Sequence, residues 1–115
     1  ETTKSGSDVM TFKDREKSEE ALYKHDQELE FKIRNRRNKL FGLWLAETHL
    51  GKGGEESMAY AKDVVMAAFE NPGDDALLEK VKGDLAAAGV EVSDFLLGKH
   101  LDQCQATAKT QVMAE

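Results

Sequence analysis

The stretch FKDREKSEEALYKHDQELEFKIRNRRNKLFGLWLAETH, Phe12 to His49, contains no proline and a single glycine, Gly42, and its reading decides the fold. Thr11 followed by Asp14 has the spacing of a capping box, and nothing beyond it stops a helix before Gly51. The apolar positions Leu22, Leu29, Ile33, Leu40 and Trp44 recur at intervals of 7, 4, 7 and 4, thickened by Phe41, Leu43 and Leu45. That is the one-sided stripe of a helix in a bundle. The pattern predicts one helix of about 55 Å at about 1.5 Å per residue.

Three shorter helices follow from the remaining punctuation. Gly51-Lys52-Gly53-Gly54 ends the first, and Glu55 and Glu56 then favour the positive end of a second helix striped by Met58, Ala61, Val65 and Ala68. Asn71-Pro72-Gly73 breaks the chain again. Asp74 and Asp75 are expected to cap a third helix carrying Leu77, Leu78, Val81, Leu85 and Ala88, which ends at Gly89. Val90 and Val92 bridge to a fourth, with Ser93 as N-cap and Leu97, Leu101, Cys104, Ala108 and Val112 on one face. Short connections predict antiparallel neighbours, so the expected fold is all-α: a four-helix up-down bundle with an overlong first helix and a mobile N-terminal arm. Residues 1–10 are expected to be a disordered extension, 11–28 the arm and 29–115 the bundle.

Composition places that arm. The 115 residues are 40% hydrophobic and 33% charged, with a formal net charge of −6. From Glu1 to Lys39 stand ten basic and nine acidic residues, whereas Leu40 to Glu115 holds six basic and thirteen acidic. Between Phe12 and Glu30 eleven of nineteen residues are charged, and only Phe12, Ala21, Leu22, Tyr23 and Leu29 are apolar. Such a segment builds no core alone and calls for a partner. No apolar run approaches the roughly 20 residues that span a bilayer, which argues against membrane insertion. The acidic balance argues against nucleic acid as a partner, and one cysteine, Cys104, suits a reducing compartment.

Catalytic and metal chemistry find little purchase. His25, His49 and His100 are scattered without metal-ligand spacing, and no Ser or Cys stands beside a base. The histidines read as isolated, Cys104 as core, and the Gly51–Gly54 turn as a helix stop that can at most host a phosphate weakly through Lys52. A metal-free non-enzyme is expected, monomeric when free. The basic run Lys32, Arg34, Arg36, Arg37 and Lys39 is more telling. Its simplest reading is a solvated face with pairs Glu28 to Lys32 and Glu30 to Arg34; clamps on acidic residues of the bundle's own C-terminal part, or contacts to an acidic surface or nucleotide phosphate, are the alternatives.

The blocks Phe31-Lys32 through Arg36-Arg37-Asn38-Lys39-Leu40 to Gly42-Leu43-Trp44, then Tyr60-Ala61-Lys62-Asp63-Val64-Val65, Phe69 to Pro72-Gly73-Asp74-Asp75, and Lys80-Val81 to Ala87-Ala88-Gly89-Val90 closely resemble the zeta subunit of the alphaproteobacterial F-type ATP synthase. The resemblance implies a four-helix bundle that inhibits ATP hydrolysis, with a mobile N-terminal segment entering the catalytic head. It implies partners among the alpha, beta and gamma subunits, and a place in the cytoplasm at the inner face of the energy-transducing membrane, or in the mitochondrial matrix for a eukaryotic source. The inhibitory segment becomes Thr11 to Asp26, with Thr11, Phe12, Arg15, Glu16, Glu19, Glu20, Tyr23, His25 and Asp26 as its residues, His25 being a candidate pH-responsive group. No cofactor is required. Some members bind adenine nucleotide, so ADP or ATP is a candidate regulatory ligand at Arg34, Arg37 and Lys52. The competing reading is an adenine-nucleotide-sensing helical adaptor with weak or no ATPase inhibition.

Overall fold

The computed structural model describes residues 12–115, with side chains from Lys24 onward. Among these residues four helices form in chain order: α1 (Phe12–Thr48), α2 (Glu55–Glu70), α3 (Asp74–Ala87) and α4 (Asp94–Ala114). The boundaries fall where the glycines and the single proline break the pattern. Gly51, Gly54, Gly73 and Gly89 all take positive φ. At the end of α3 the amide of Val90 donates to the Leu85 carbonyl at 2.9 Å and that of Gly89 to Ala86 at 3.0 Å, closing a Schellman motif around Gly89 at φ 72. Ser93 caps α4 as expected: its hydroxyl accepts from the Leu96 amide at 3.1 Å.

Cross-helix contacts give the topology. Gly42 meets Ala61, the carboxylates of Asp63 and Asp84 share Lys80, Lys82 reaches Asp94, and Arg36 reaches Gln111 while Trp44 stacks on His100. Later residues of α1 thus face earlier residues of α4, and neighbouring helices run antiparallel, an up-down bundle. Its core is Phe41, Leu45, Val64, Leu77, Val81, Leu85, Leu97, Leu101 and Cys104. The chain divides into two units, residues 1–31 and residues 32–115, and this core belongs to the second.

All five residues expected on the α4 face are buried. Elsewhere the stripes need correction. In α1 the inward centre is Phe41 and Leu45, both fully buried, while Leu40 and Trp44 are half-buried beside them. In α2 the buried set is Ser57, Ala61 and Val64; Val65 and Ala68 are half-buried, and Met58 is 57% exposed. The rotation follows from the α1–α2 crossing, which demands small side chains rather than large ones. A Cβ on Gly42 would lie 2.8 Å from the Ala61 Cα and 3.3 Å from the Val64 Cβ. In α3, Ala88 is exposed at the C-cap, and Gly73, not an aspartate, occupies the N-cap. Asp74 and Asp75 lie in the first turn, where their charge opposes the positive helix end without side-chain capping.

The histidines also depart from the sequence reading. His49 and His100 are not isolated: both rings lie against Trp44, His100 stacked at 3.7 Å and His49 edge-on at 4.9 Å. Cys104 is buried, and burial pushes its thiol up to about 11, Arg37 opposing weakly. It is a core residue, unreactive at neutral pH.

Two glycine substitutions of opposite sign test this packing. Gly42→Val forces α1 and α2 apart and is expected to cost about 2 to 3 kcal/mol. Gly83→Ala, on α3 where an added Cβ meets nothing within 4 Å, is expected to gain about 0.5 to 1 kcal/mol from helix propensity alone. Urea unfolding followed by the emission of Trp44 measures both.

Candidate functional site

Unit 1 contains the segment that the resemblance marks as inhibitory. Helix α1 is continuous through it from Phe12, so the capping signal at Thr11 and Asp14 is followed by helix where expected. Thr11 lies outside the described residues, as do the side chains of Phe12, Arg15, Glu16, Glu19, Glu20 and Tyr23, and the proposed extension 1–10. His25 and Asp26 are described, and both are exposed, as are Lys24, Gln27, Glu28 and Glu30; Leu29 is half-buried. The segment therefore shows a polar, charged surface through most of its last turns before Phe31.

The basic run begins where unit 2 begins, and its cations divide by helix face. Ile33, Arg37 and Asn38 are buried, Asn35 and Arg36 half-buried, and Lys32, Arg34 and Lys39 exposed. Arg37 carries the strongest geometry. Its Nη2 donates to Asp74 Oδ1 at 2.9 Å, its Nη1 reaches Asp74 Oδ2 at 3.5 Å, and its Nε donates to Asn38 Oδ1 at 3.0 Å. The guanidinium side chain is 10% exposed and the carboxylate 58%. A planar fork on a carboxylate at a helix N-terminus joins two favourable arrangements, the bidentate pair and the anion on the positive dipole end.

Arg36 and Lys32 point to the far end of α4. The Nη1 of Arg36 donates to Gln111 Oε1 at 2.9 Å, its Nη2 bonds Glu115 Oε2, and Lys32 Nζ pairs with Glu115 Oε1 at 3.2 Å. These hydrogen bonds hold the Glu115 carboxyl below the ordinary carboxylate range. Lys32, expected to pair within its own helix, thus pairs with Glu115 instead. The clamp on acidic residues of the later helices is what the structure contains. Arg34 is exposed and, among the described residues, enters no ion pair.

Arg34, Arg37 and Lys52 are not gathered at one point. Arg34 and Arg37 lie one turn apart, with Arg37 bound to Asp74, while Lys52 is half-buried beyond the other end of α1, its amide donating to the Ala46 carbonyl at 2.8 Å. The rise from Arg37 to Thr48 alone is about 16 Å at about 1.5 Å per residue. Among the described residues no group of three or more His, Cys, Asp or Glu is placed to hold a metal ion. No helix among them is long and apolar enough to cross a membrane.

One network escaped sequence reasoning. The Tyr60 hydroxyl donates to Asp84 Oδ2 at 2.8 Å, and Lys80 Nζ bridges Asp84 at 2.9 Å and Asp63 at 2.8 Å, tying α2 to α3. Burial and the bond to Asp84 push the Tyr60 phenol upward; Lys80 is also raised, since its two carboxylates outweigh its burial. Its signal in the sequence is only Lys80 four residues before Asp84, a commonplace of helix surfaces.

With the geometry in place, comparison with known families is decisive. The family described as ATPase inhibitor subunit zeta matches residues 9–111. The chain belongs to that family. The match takes in the first three helices, most of α4 and the whole basic run, and the family's description is that of an ATPase inhibitor subunit. Neither the curated proteins nor the solved structures compared with it give a match.

The two cation clusters differ in burial, and their variants should differ accordingly. Asp74→Asn leaves the Arg37 guanidinium buried without its anion and is expected to cost about 1 to 3 kcal/mol. Arg36→Ala removes an exposed clamp and is expected to cost under about 1 kcal/mol, less at high salt. Urea midpoints at low and high salt distinguish the two.

Proposed function

We propose that this zeta-family chain inhibits ATP hydrolysis by inserting the segment Thr11 to Asp26, helical from Phe12, into the catalytic head of the F-type ATP synthase, against its alpha, beta and gamma subunits, while residues 32–115 serve as the anchored body. The observation that supports this reading is the contrast between the two units. The body contains its own apolar core, whereas His25 and Asp26, with their neighbours Lys24, Gln27 and Glu28, expose their side chains along a helix poor in apolar residues. A helix so poor in apolar residues gains packing by meeting a partner. The site of action is then wherever the head projects, the cytoplasmic or matrix side of the energy-transducing membrane.

A regulatory adenine nucleotide is a second proposal, and the exposed Arg34, which enters no ion pair among the described residues, supports it. With Arg37 and Arg36 occupied by Asp74, Gln111 and Glu115, Arg34 is the arginine of the run left for a phosphate. Lys39 is exposed on the same helix. Backbone amide shifts around Arg34 during an ADP titration test this reading, and shifts that stay flat at millimolar ADP dispose of it.

The main proposal predicts a specific pair of results. The full chain slows ATP hydrolysis by the cognate head. A chain lacking residues 1–28 keeps the cooperative unfolding of the body but loses at least about tenfold in inhibitory potency, because the inserted contacts are gone. Equal inhibition by the two chains would sink the insertion mechanism.

A further inference from the structure

Trp44, the only tryptophan in the chain, carries an imidazole on each of two sides. The His100 ring of α4 stacks on the indole at 3.7 Å with planes 15° apart, and the His49 ring, at the end of α1, meets it edge-on at 4.9 Å and 80°. Trp44 packs in turn against Phe41 of the core, at 6.1 Å. His49 and His100 are half-buried, and the Nε2 atom of His49 is fully buried with no hydrogen-bond partner. The three residues join the last turns of α1 to the first half of α4.

We propose that Trp44, His49 and His100 form a proton-sensitive latch between the C-terminal end of α1 and α4, closed while the His100 imidazole is neutral and loosened as it takes up a proton. The proposal concerns the body alone and holds whether or not the N-terminal segment enters a catalytic head. The groups bearing on the His100 ring are few. From α1 comes the His49 ring, which repels a charge; from α4 itself comes Gln103, an uncharged amide that hydrogen-bonds the ring; no carboxylate and no Lys or Arg among the described residues acts on it. A charge on His100 gains a cation–π contact with the indole face but loses water and meets the repulsion of the His49 ring, and the lowered value of His100 shows that the unfavourable effects win. Burial and the charge of His49 accordingly hold His100 below its ordinary 6.5.

The direction of the pH effect follows. A histidine whose folded value is depressed favours the folded state above its unfolded value near 6.5, and that contribution is lost as pH falls through it. Acid therefore loosens the latch. What it loosens is local: the amides of Leu50 and Lys52 donate to the carbonyls of Leu45 at 3.0 Å and Ala46 at 2.8 Å, wrapping the chain around Gly51 just beyond His49.

The test uses the full chain and its own indole. Between about pH 7.5 and 5.5, Trp44 emission is expected to be quenched as His100 charges. Over the same range, hydrogen-exchange protection at Leu50 and Lys52 is expected to fall several-fold. His100→Phe keeps a ring on the indole but cannot titrate, and is expected to flatten both responses; His49→Gln is expected to move the His100 midpoint upward. Flat emission and protection in the parent, or a His100→Phe chain with the parent's pH dependence, would overturn the latch. If His100→Phe folds poorly, NMR titration of the imidazole protons in the parent decides alone, and a His100 midpoint at or above 6.5 refutes the proposal.

Discussion

The absence of a side chain at Gly42 governs the arrangement of the bundle. With an added Cβ only 2.8 Å from the Ala61 Cα, the α1 and α2 backbones approach as closely as their packing allows. A contact that close fixes the rotation of both helices. It turns Phe41 and Leu45 inward on α1 and Ser57, Ala61 and Val64 inward on α2, and leaves Trp44 at the flank, where α4 brings His100 to it. Glycine inside a helix costs about 1 kcal/mol relative to alanine. Here that cost is offset by burial of Phe41 and Leu45, each worth about 1.5 to 3 kcal/mol when fully removed from water.

Charge is organised around the same helix. The acidic excess of the later helices and the basic run of α1 are halves of one arrangement, since Arg37 takes Asp74 at the start of α3 and Arg36 and Lys32 take Glu115 beyond α4. The pairs differ in physical weight. Arg37 is buried beside Cys104 and Asn38, so its carboxylate partner is required; the Glu115 cluster is exposed, screened by salt, and contributes little to stability. The net charge of −6 is thus an average over a body in which five cations pair with carboxylates and a preceding segment whose described charges, from Lys24 to Glu30, are exposed.

Helix α4 was the most legible part of the sequence because two signals agree there: apolar residues at intervals of 4, 3, 4 and 4, and a serine at the N-cap position. Helix α2 misleads for a physical reason. Hydrophobicity promotes Met58 over Ser57, but a close crossing selects for size, and the small Ser57 is inside with its hydroxyl bonded to the Gly54 carbonyl at 2.8 Å. Asp74 was misread as a cap because a side chain bonding its own helix and one bonding Arg37 on another helix leave the same trace in sequence. The histidine pair was illegible, since nothing local connects His49 with His100. Of the candidate site, the run Lys32 to Lys39 was visible as a charge cluster, but which cation faces inward depends on the helical phase that Gly42 sets.

That phase bears on the segment before Phe31 as well. An isolated helix of some twenty residues, eleven of them charged here, is marginal in water because its first turn must be nucleated. In α1 the nucleus is supplied by the packed residues from Ile33 to Ala46, with Phe41, Leu45 and Ala46 at 0% exposure, and the helix runs without a break from Phe12 to Thr48. Helix in residues 12–31 therefore needs only propagation. A segment that propagates from an existing helix gives up less backbone freedom on meeting a partner than one that folds from coil, and more of its contact energy is available for affinity. On the proposed insertion mechanism, the packed residues from Ile33 to Ala46 are thus what lets a charge-rich, apolar-poor segment meet its partner already helical.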